Sequence, residues 1–166
     1  MEKGKHSFTN LLDDHKDKIY RICCYYVAHE EDRKDLYQES LLNIWKGFKN
    51  FRKDAAFTTW MFRITVNTAL SFLSKKRSTD QKNKQYAELI KDSDQSSEYT
   101  DHDEINLLHK GISQLPLLDM IIISLVLEEI KSKEIAKITG LTESNVRVRL
   151  HRAKETLKNL IEGGEL

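Results

Sequence analysis

A single proline, Pro116, interrupts 166 residues, and only six glycines accompany it. Sheet proteins with many tight turns need more of both, so the chain is read as all-α, with several long helices. Cysteine is scarce too. Cys23 and Cys24 are neighbours, and adjacent side chains on a helix point apart, which argues against a disulfide between them. No second cysteine pair or spaced histidine motif accompanies them, so no metal and no cofactor is expected. Cys23 is read as a buried helix residue. Long apolar runs are missing: the densest, Met120 to Leu127, is broken by Ser124 and too short to span a bilayer. Met1 to Phe8 lacks the apolar core of a secretion signal. The expectation is a cytoplasmic chain with no membrane insertion. Charge of one sign is lacking as well. Lysine and arginine total 27 against 26 acidic residues, so any nucleic-acid binding must come from local basic faces.

The most informative stretch that is present runs from Leu115 to Leu160. Pro116 suits the first position of a helix, and Leu118, Ile121, Ile122 and Leu125 follow at helical spacing. A short helix is predicted from Ser132 to Thr139, capped by Ser132, with Ile135, Ala136 and Ile138 buried and Gly140 stopping it. Thr142 caps a third helix beginning at Glu143. Val146, Leu150, Ala153, Leu157 and Leu160 form its apolar stripe. Arg147, His151, Lys154 and Lys158 lie away from that stripe, with Ser144 and Arg152 nearby and Arg149 nearer its edge. A short helix, a glycine turn and a cationic helix resemble a helix-turn-helix, whose last helix enters the DNA major groove. A helical hairpin with a solvated basic face is the alternative. The additional short helix and the glycine turn favour DNA binding.

Earlier in the chain, Leu12, Ile19, Ile22, Cys23 and Tyr26 predict a first helix from Phe8 to about Ala28. A second runs from about Glu31 to Lys49. Its apolar side is Leu36, Leu41, Ile44, Trp45 and Phe48, and its polar surface is Asp35, Gln38, Glu39 and Asn43. A third follows from Thr58 or Thr59 to about Lys76, burying Met61, Ile64, Thr68 and Phe72 and ending in Lys75, Lys76 and Arg77, which suit the negative pole of its dipole. Residues 78–103 are rich in polar residues and poor in large apolar ones, and carry no basic residue from Asp92 on. They read as a flexible linker, with a loose helix around Tyr86 to Ile90. Such a tether spans about 30 Å on average and ~100 Å at full stretch. Two small helical domains are therefore expected: residues 1–77, with three to four helices, and residues 104–166, with four. Two units on a soft leash suit a protein that grips a long target at two points.

The two halves together resemble the extracytoplasmic-function group of bacterial sigma factors. The run Asp35-Leu36-Tyr37-Gln38-Glu39, then Leu41 to Trp45 and Phe51 to Ala69, is similar to that family's second conserved region. Lys133 to Ala136 and Asn145 to Lys154 are similar to its fourth. The resemblance implies a specificity subunit without catalysis of its own. It would bind core RNA polymerase and direct it to promoter DNA, reading the minus-thirty-five element as duplex and the minus-ten element as a melted single strand. It also implies an anti-sigma partner.

Carried over residue by residue, the resemblance places Asp35, Gln38 and Glu39 against core polymerase, where a partly acidic helix face meets a basic coiled coil. Phe51, Arg52, Phe57, Trp60 and Arg63, with Lys53, would hold the melted strand on aromatic platforms and cations. Their alternative is core packing. Asn67 would help form a pocket for a base turned out of the stack, since an amide both donates and accepts. Lys75 and Lys76, with Arg77, would hold phosphates. In the second half, Lys133, Ser144, Asn145, Arg147, Arg149, His151 and Arg152 would contact the minus-thirty-five element. The sequence departs from the family pattern at Ser144-Asn145, often Gly-Thr; at Ser71, often acidic or amide; and at Asp119, near which an arginine is frequent. These departures bear on the promoter sequence rather than the fold.

Two rival readings account for less of the chain. A helix-turn-helix regulator with an N-terminal sensing or dimerisation domain explains the second half but gives no reason for the aromatic loop and Asn67. An enzyme would draw on Cys24, His15, His29, His102 and His109, which form no spaced nucleophile–base motif.

Overall fold

The structure is a computed structural model that describes residues 2–52, 56–87 and 103–163, with side chains over 8–52, 56–78 and 107–163. Lys53 and the central part of the expected linker, 88–102, lie outside the described residues. Among the described residues there are eight helices and no strand. They are α1 (Glu2–Asp13), α2 (Lys16–Tyr26), α3 (Glu30–Phe48), α4 (Phe57–Ala87), α5 (Asp103–Gln114), α6 (Leu117–Leu127), α7 (Ser132–Thr139) and α8 (Glu143–Glu162). The all-α expectation holds.

Two element boundaries differ from the sequence reading. The single first helix is two, parted at Asp14 and His15. Asp13 and Asp14 put two carboxylates at a helix C-terminus, where the dipole disfavours them. The chain tightens there through a bond from the His15 amide to the Leu12 carbonyl (3.0 Å), and α2 starts afresh. The break lets Phe8 pack on Trp45, Phe48 and Phe57 at centroid distances of 5.0, 4.5 and 6.4 Å, while Ile19, Ile22 and Cys23 fill the core. Conversely, α4 runs on past Lys76 to Ala87. No glycine or proline stands between Phe57 and Ala87 to stop it.

The first half is a bundle in which α2, α3 and α4 bury Ile19, Ile22, Leu36, Ile44, Met61 and Phe62. At Gly47 a β-carbon would sit 3.1 Å from the Trp60 ring, so the glycine lets the indole lie directly on α3. In the second half, α5 to α8 bury Ile112, Ile122, Leu125, Ile135 and Val146. Burying a side chain of this size contributes about 1.5–3 kcal/mol. Pro116 occupies the N-cap of α6, one position before its predicted place, and α7 takes Lys131 rather than Ser132 as its N-cap.

The halves also pack on each other. The Arg21 guanidinium donates to both carboxylate oxygens of Glu128, with Nε–Oε1 2.9 Å and Nη2–Oε2 2.8 Å. Lys18 Nζ donates to the Glu128 carbonyl at 3.2 Å. Tyr26 and Ser124 share a buried hydroxyl–hydroxyl bond of 3.3 Å, and Tyr25 stacks on His109 at 5.3 Å. Thr59, at the start of α4, donates to Glu134 of α7 at 2.6 Å. The Glu128 side chain is 2% exposed, so its charge is tolerated there only because a bidentate arginine matches it. The turn delivering it places Glu129 in the left-handed region at φ 62°, an uncommon conformation for a side chain other than glycine.

Candidate nucleic-acid and polymerase interfaces

The α7–α8 unit is built as the spacing predicts. Gly140 ends α7 at φ 76°, the left-handed conformation that glycine adopts without penalty. Two residues later the Thr142 hydroxyl accepts from the Asn145 amide at 3.2 Å and caps α8. Val146, Ala153 and Leu157 are buried, and Leu150 and Leu160 are half-buried beside them. Ser144, Asn145, Arg147, His151 and Arg152 are all exposed, as is Lys133 on α7. The structure thus brings six of the seven candidates in this half onto open surface.

Arg149 is the exception. Its Nη1 donates to Asp119 of α6 at 2.8 Å, and it is half-buried. By helix geometry it lies only about 70° from the centre of the apolar stripe. It ties α8 to α6, and a bond to a base would first have to break that pair. The tie explains the acid at position 119, whose partner thirty residues along the chain has no local sequence signal. Arg147 reaches back to Glu143 at 2.6 Å, an exposed i,i+4 pair of the kind that contributes little and yields readily to another anion. His151 faces Glu155 at 3.6 Å in the same way.

In the first half, α3 and α4 frame a shallow cleft of about 270 Å³ lined by Glu39, Asn43, Ile64, Asn67, Thr68 and Ser71. Asn67 and Ser71 are exposed on its rim, one turn apart. The Asn43 amide donates to the Thr68 hydroxyl at 3.1 Å, and that hydroxyl donates to the Ile64 carbonyl at 2.9 Å. From sequence alone Asn67 is the candidate for this pocket, and Asn43 reads as part of the polar surface of α3. The signal for Asn43 was its four-residue spacing from Glu39, legible only once α4 was known to lie alongside.

The aromatic candidates do not stand free. Trp60 lies 5.0 Å from Phe51 and 5.7 Å from Phe57, and Phe51 stacks on Phe48 at 6.3 Å. All are half-buried, so each offers one edge or face to solvent and gives the rest to packing. Arg52 and Arg63 are exposed beside them. The cations further along are paired with acids of α3: Lys75 Nζ meets Glu39 at 3.3 Å, and Lys76 meets Asp32. Glu39 therefore sits in the cleft and against Lys75, more than on the outer face of α3. That outer face carries exposed Asp35 and Gln38 and, beyond them, exposed Leu42 and Trp45. Apolar side chains rimmed by polar ones are the usual composition of a protein-binding patch. The sequence puts Trp45 on the apolar side of α3, because its spacing with Leu41 and Phe48 is equally that of a buried stripe.

Cys23 is buried, and burial pushes its thiol up to about 12, so it stays protonated and unreactive. No helix among the described residues is long and apolar enough to cross a membrane.

Comparison with known proteins accounts for both halves at once. Residues 11–79 match Sigma-70 region 2, and residues 105–157 match Sigma-70, region 4. The chain is 30% identical over 151 residues to the RNA polymerase sigma factor SigV of Bacillus subtilis, covering 90% of this chain and 88% of that protein. It is 24% identical over 170 residues to the ECF RNA polymerase sigma factor SigW of the same organism, covering 95% and 91%. Among solved structures, the fold is similar to the sigma factor RpoE of Bartonella quintana, crystallised with the anti-sigma factor NepR. The TM-score is 0.73 at 19% identity, over 94% of this chain and 97% of that one. The chain belongs to the extracytoplasmic-function group of RNA polymerase sigma factors, which bind core polymerase and promoter DNA to initiate transcription and are not enzymes.

Proposed function

We propose that α8 reads the minus-thirty-five element as duplex while the α3–α4 face holds the minus-ten element as it melts. The observation that carries the first part is the outward set on α8 of Ser144, Asn145, Arg147, His151 and Arg152, none of which the core requires. Arginine forks match guanine edges and phosphates, and Lys133 on α7 adds a backbone contact. For the second part, support comes from the cleft holding Asn67 and Asn43, with Phe57, Trp60 and Arg63 on α4 and Phe51 and Arg52 in the segment between α3 and α4. An amide in a cleft of this size reads the edge of an unstacked base, while aromatics and cations hold the strand. Lys75 and Lys76 would exchange their acidic partners for phosphates.

Core polymerase docks on the outer face of α3 in this reading, through Asp35 and Gln38 around Leu42 and Trp45, with Glu39 reaching it only from the cleft edge. The domain division proposed is residues 1–77 for polymerase and the minus-ten element and 104–166 for the minus-thirty-five element, with 78–103 joining them, of which 78–87 continue α4 as helix. The protein works with polymerase in the cytoplasm. An anti-sigma partner is also proposed. Two neighbours of this fold, the Bartonella quintana RpoE and CnrH, were solved with NepR and with the cytosolic domain of CnrY.

Run-off transcription with core polymerase on a genomic library tests the whole. Selective starts sharing two spaced elements are expected, and uniform starts would reject the proposal. Gel filtration with core polymerase adds a second check, because a stand-alone regulator elutes apart from it.

A further inference from the structure

We infer that Val148 is a specificity-determining residue of α8, one that selects a thymine methyl group in the upstream element. The inference rests on the duplex-reading proposal above and names a residue that proposal leaves out.

Buried Val146, Ala153 and Leu157, with half-buried Leu150, fix which side of α8 faces the core. At 3.6 residues per turn, position 148 lies about 170° from the centre of that stripe. Arg147 lies about 90° from it, and Arg152 and His151 each about 130°. The point of the helix furthest from the protein is therefore not an arginine. It is a valine, 48% exposed, with Ser144 one turn before it and Arg152 one turn after. Glu155 shares that direction but stands two turns further on, beyond the N-terminal half of a recognition helix that reaches base edges.

Stability does not explain a valine here. It makes no core contact, and β-branching lowers helix propensity at an exposed position. In a groove its chemistry is narrow. It has no donor or acceptor, so it holds no phosphate and pairs with no base edge. In the major groove the one apolar feature is the C5-methyl group of thymine. Because χ1 of a helical valine occupies one well, its two methyl groups are held in fixed directions, which suits a positional contact. The flanking arginines then set the register, and Val148 favours the base pair carrying a methyl at that position. Arg149, held by Asp119, does not compete for this place.

The test uses the full-length protein and a duplex carrying an upstream element obtained from run-off starts. Each thymine is replaced in turn by deoxyuridine, which removes only the methyl group, and affinity is read by fluorescence anisotropy. One position is expected to lose about 4-fold in affinity, the value of one buried methyl. In Val148→Ala that same position is expected to become insensitive, while the others behave as in the parent. Val148→Ala improves helix propensity on an exposed site, so it folds. A flat deoxyuridine scan of the parent, or a scan unchanged in Val148→Ala, overturns the inference. Arg147→Ala with Arg152→Ala separates the two levels. If that pair abolishes duplex binding while the scan is flat, only the role of Val148 fails. If the pair leaves binding unchanged, the duplex-reading proposal fails and takes the inference with it.

Discussion

Helices α8 and α4 both carry proposed DNA contacts, but they are built on opposite terms. On α8 the division is clean but for Arg149, which is tied to Asp119: one stripe goes to the core, and Ser144, Asn145, Arg147, His151 and Arg152 stand outside it. On α4 the same side chains serve two ends. Trp60 and Phe57 are half-buried in an aromatic cluster, and Lys75 and Lys76 are paired with acids of α3. The difference follows from the two targets. Duplex DNA presents its own shape to a helix, so the reader needs only an outward face. A melted strand must be given a surface, and that surface has to be rigid, which ties the contact residues to the core.

Substitutions sharpen the contrast. The largest effect is expected at Trp60→Ala, which should lower unfolding stability by about 2–4 kcal/mol in a denaturant titration, whatever it does to DNA. Its neighbour Arg63→Ala should stay within ~0.5 kcal/mol. If Trp60→Ala left stability unchanged, the indole would be a free platform and the contrast with α8 would fall. Next, Arg147→Ala with Arg152→Ala should weaken duplex binding about 10- to 100-fold and reduce the salt slope by about two, with the thermal midpoint unmoved. A shifted midpoint would show that α8 is also compromised by its core.

Smaller effects are expected where the halves meet. Arg21→Ala leaves Glu128 buried without a partner, so the halves should separate and the radius of gyration in small-angle scattering should rise. Retained compactness would mean that the remaining contacts suffice. The smallest effect is with pH. His109 is held below its ordinary pKa, chiefly by burial, then by the nearby Arg33, against a bond to the Cys24 backbone that favours the charged form. Its neutral form therefore suits the closed contact. The contribution is complete above about 6.5 and declines as pH falls through the lowered value. Scattering measured from pH 7.5 to 5.5 should show a modest loss of compaction that His109→Gln removes.

The sequence was most legible where structure is decided locally. Gly140, the Thr142 cap and the α8 stripe each lie within a few residues of what they control, so the helix-turn-helix could be placed to the residue. The split at Asp14–His15 was not legible, because no glycine or proline marks it. The Arg149–Asp119 and Arg21–Glu128 pairs were hidden for another reason: their partners are thirty and 107 residues away. Trp45 and Trp60 show a third limit, since helical spacing is the same for a buried aromatic and one that faces out.

The contact between Thr59 and Glu134 carries a thermodynamic consequence. Any ligand that needs both of the surfaces joined there can bind only the fraction of molecules in which they have parted. Its apparent dissociation constant is the intrinsic one divided by that fraction. Strengthening the closure tenfold, once the closed form dominates, raises that constant tenfold without altering a single ligand-contacting atom. A ligand of that kind has its affinity set in part at residues it never touches.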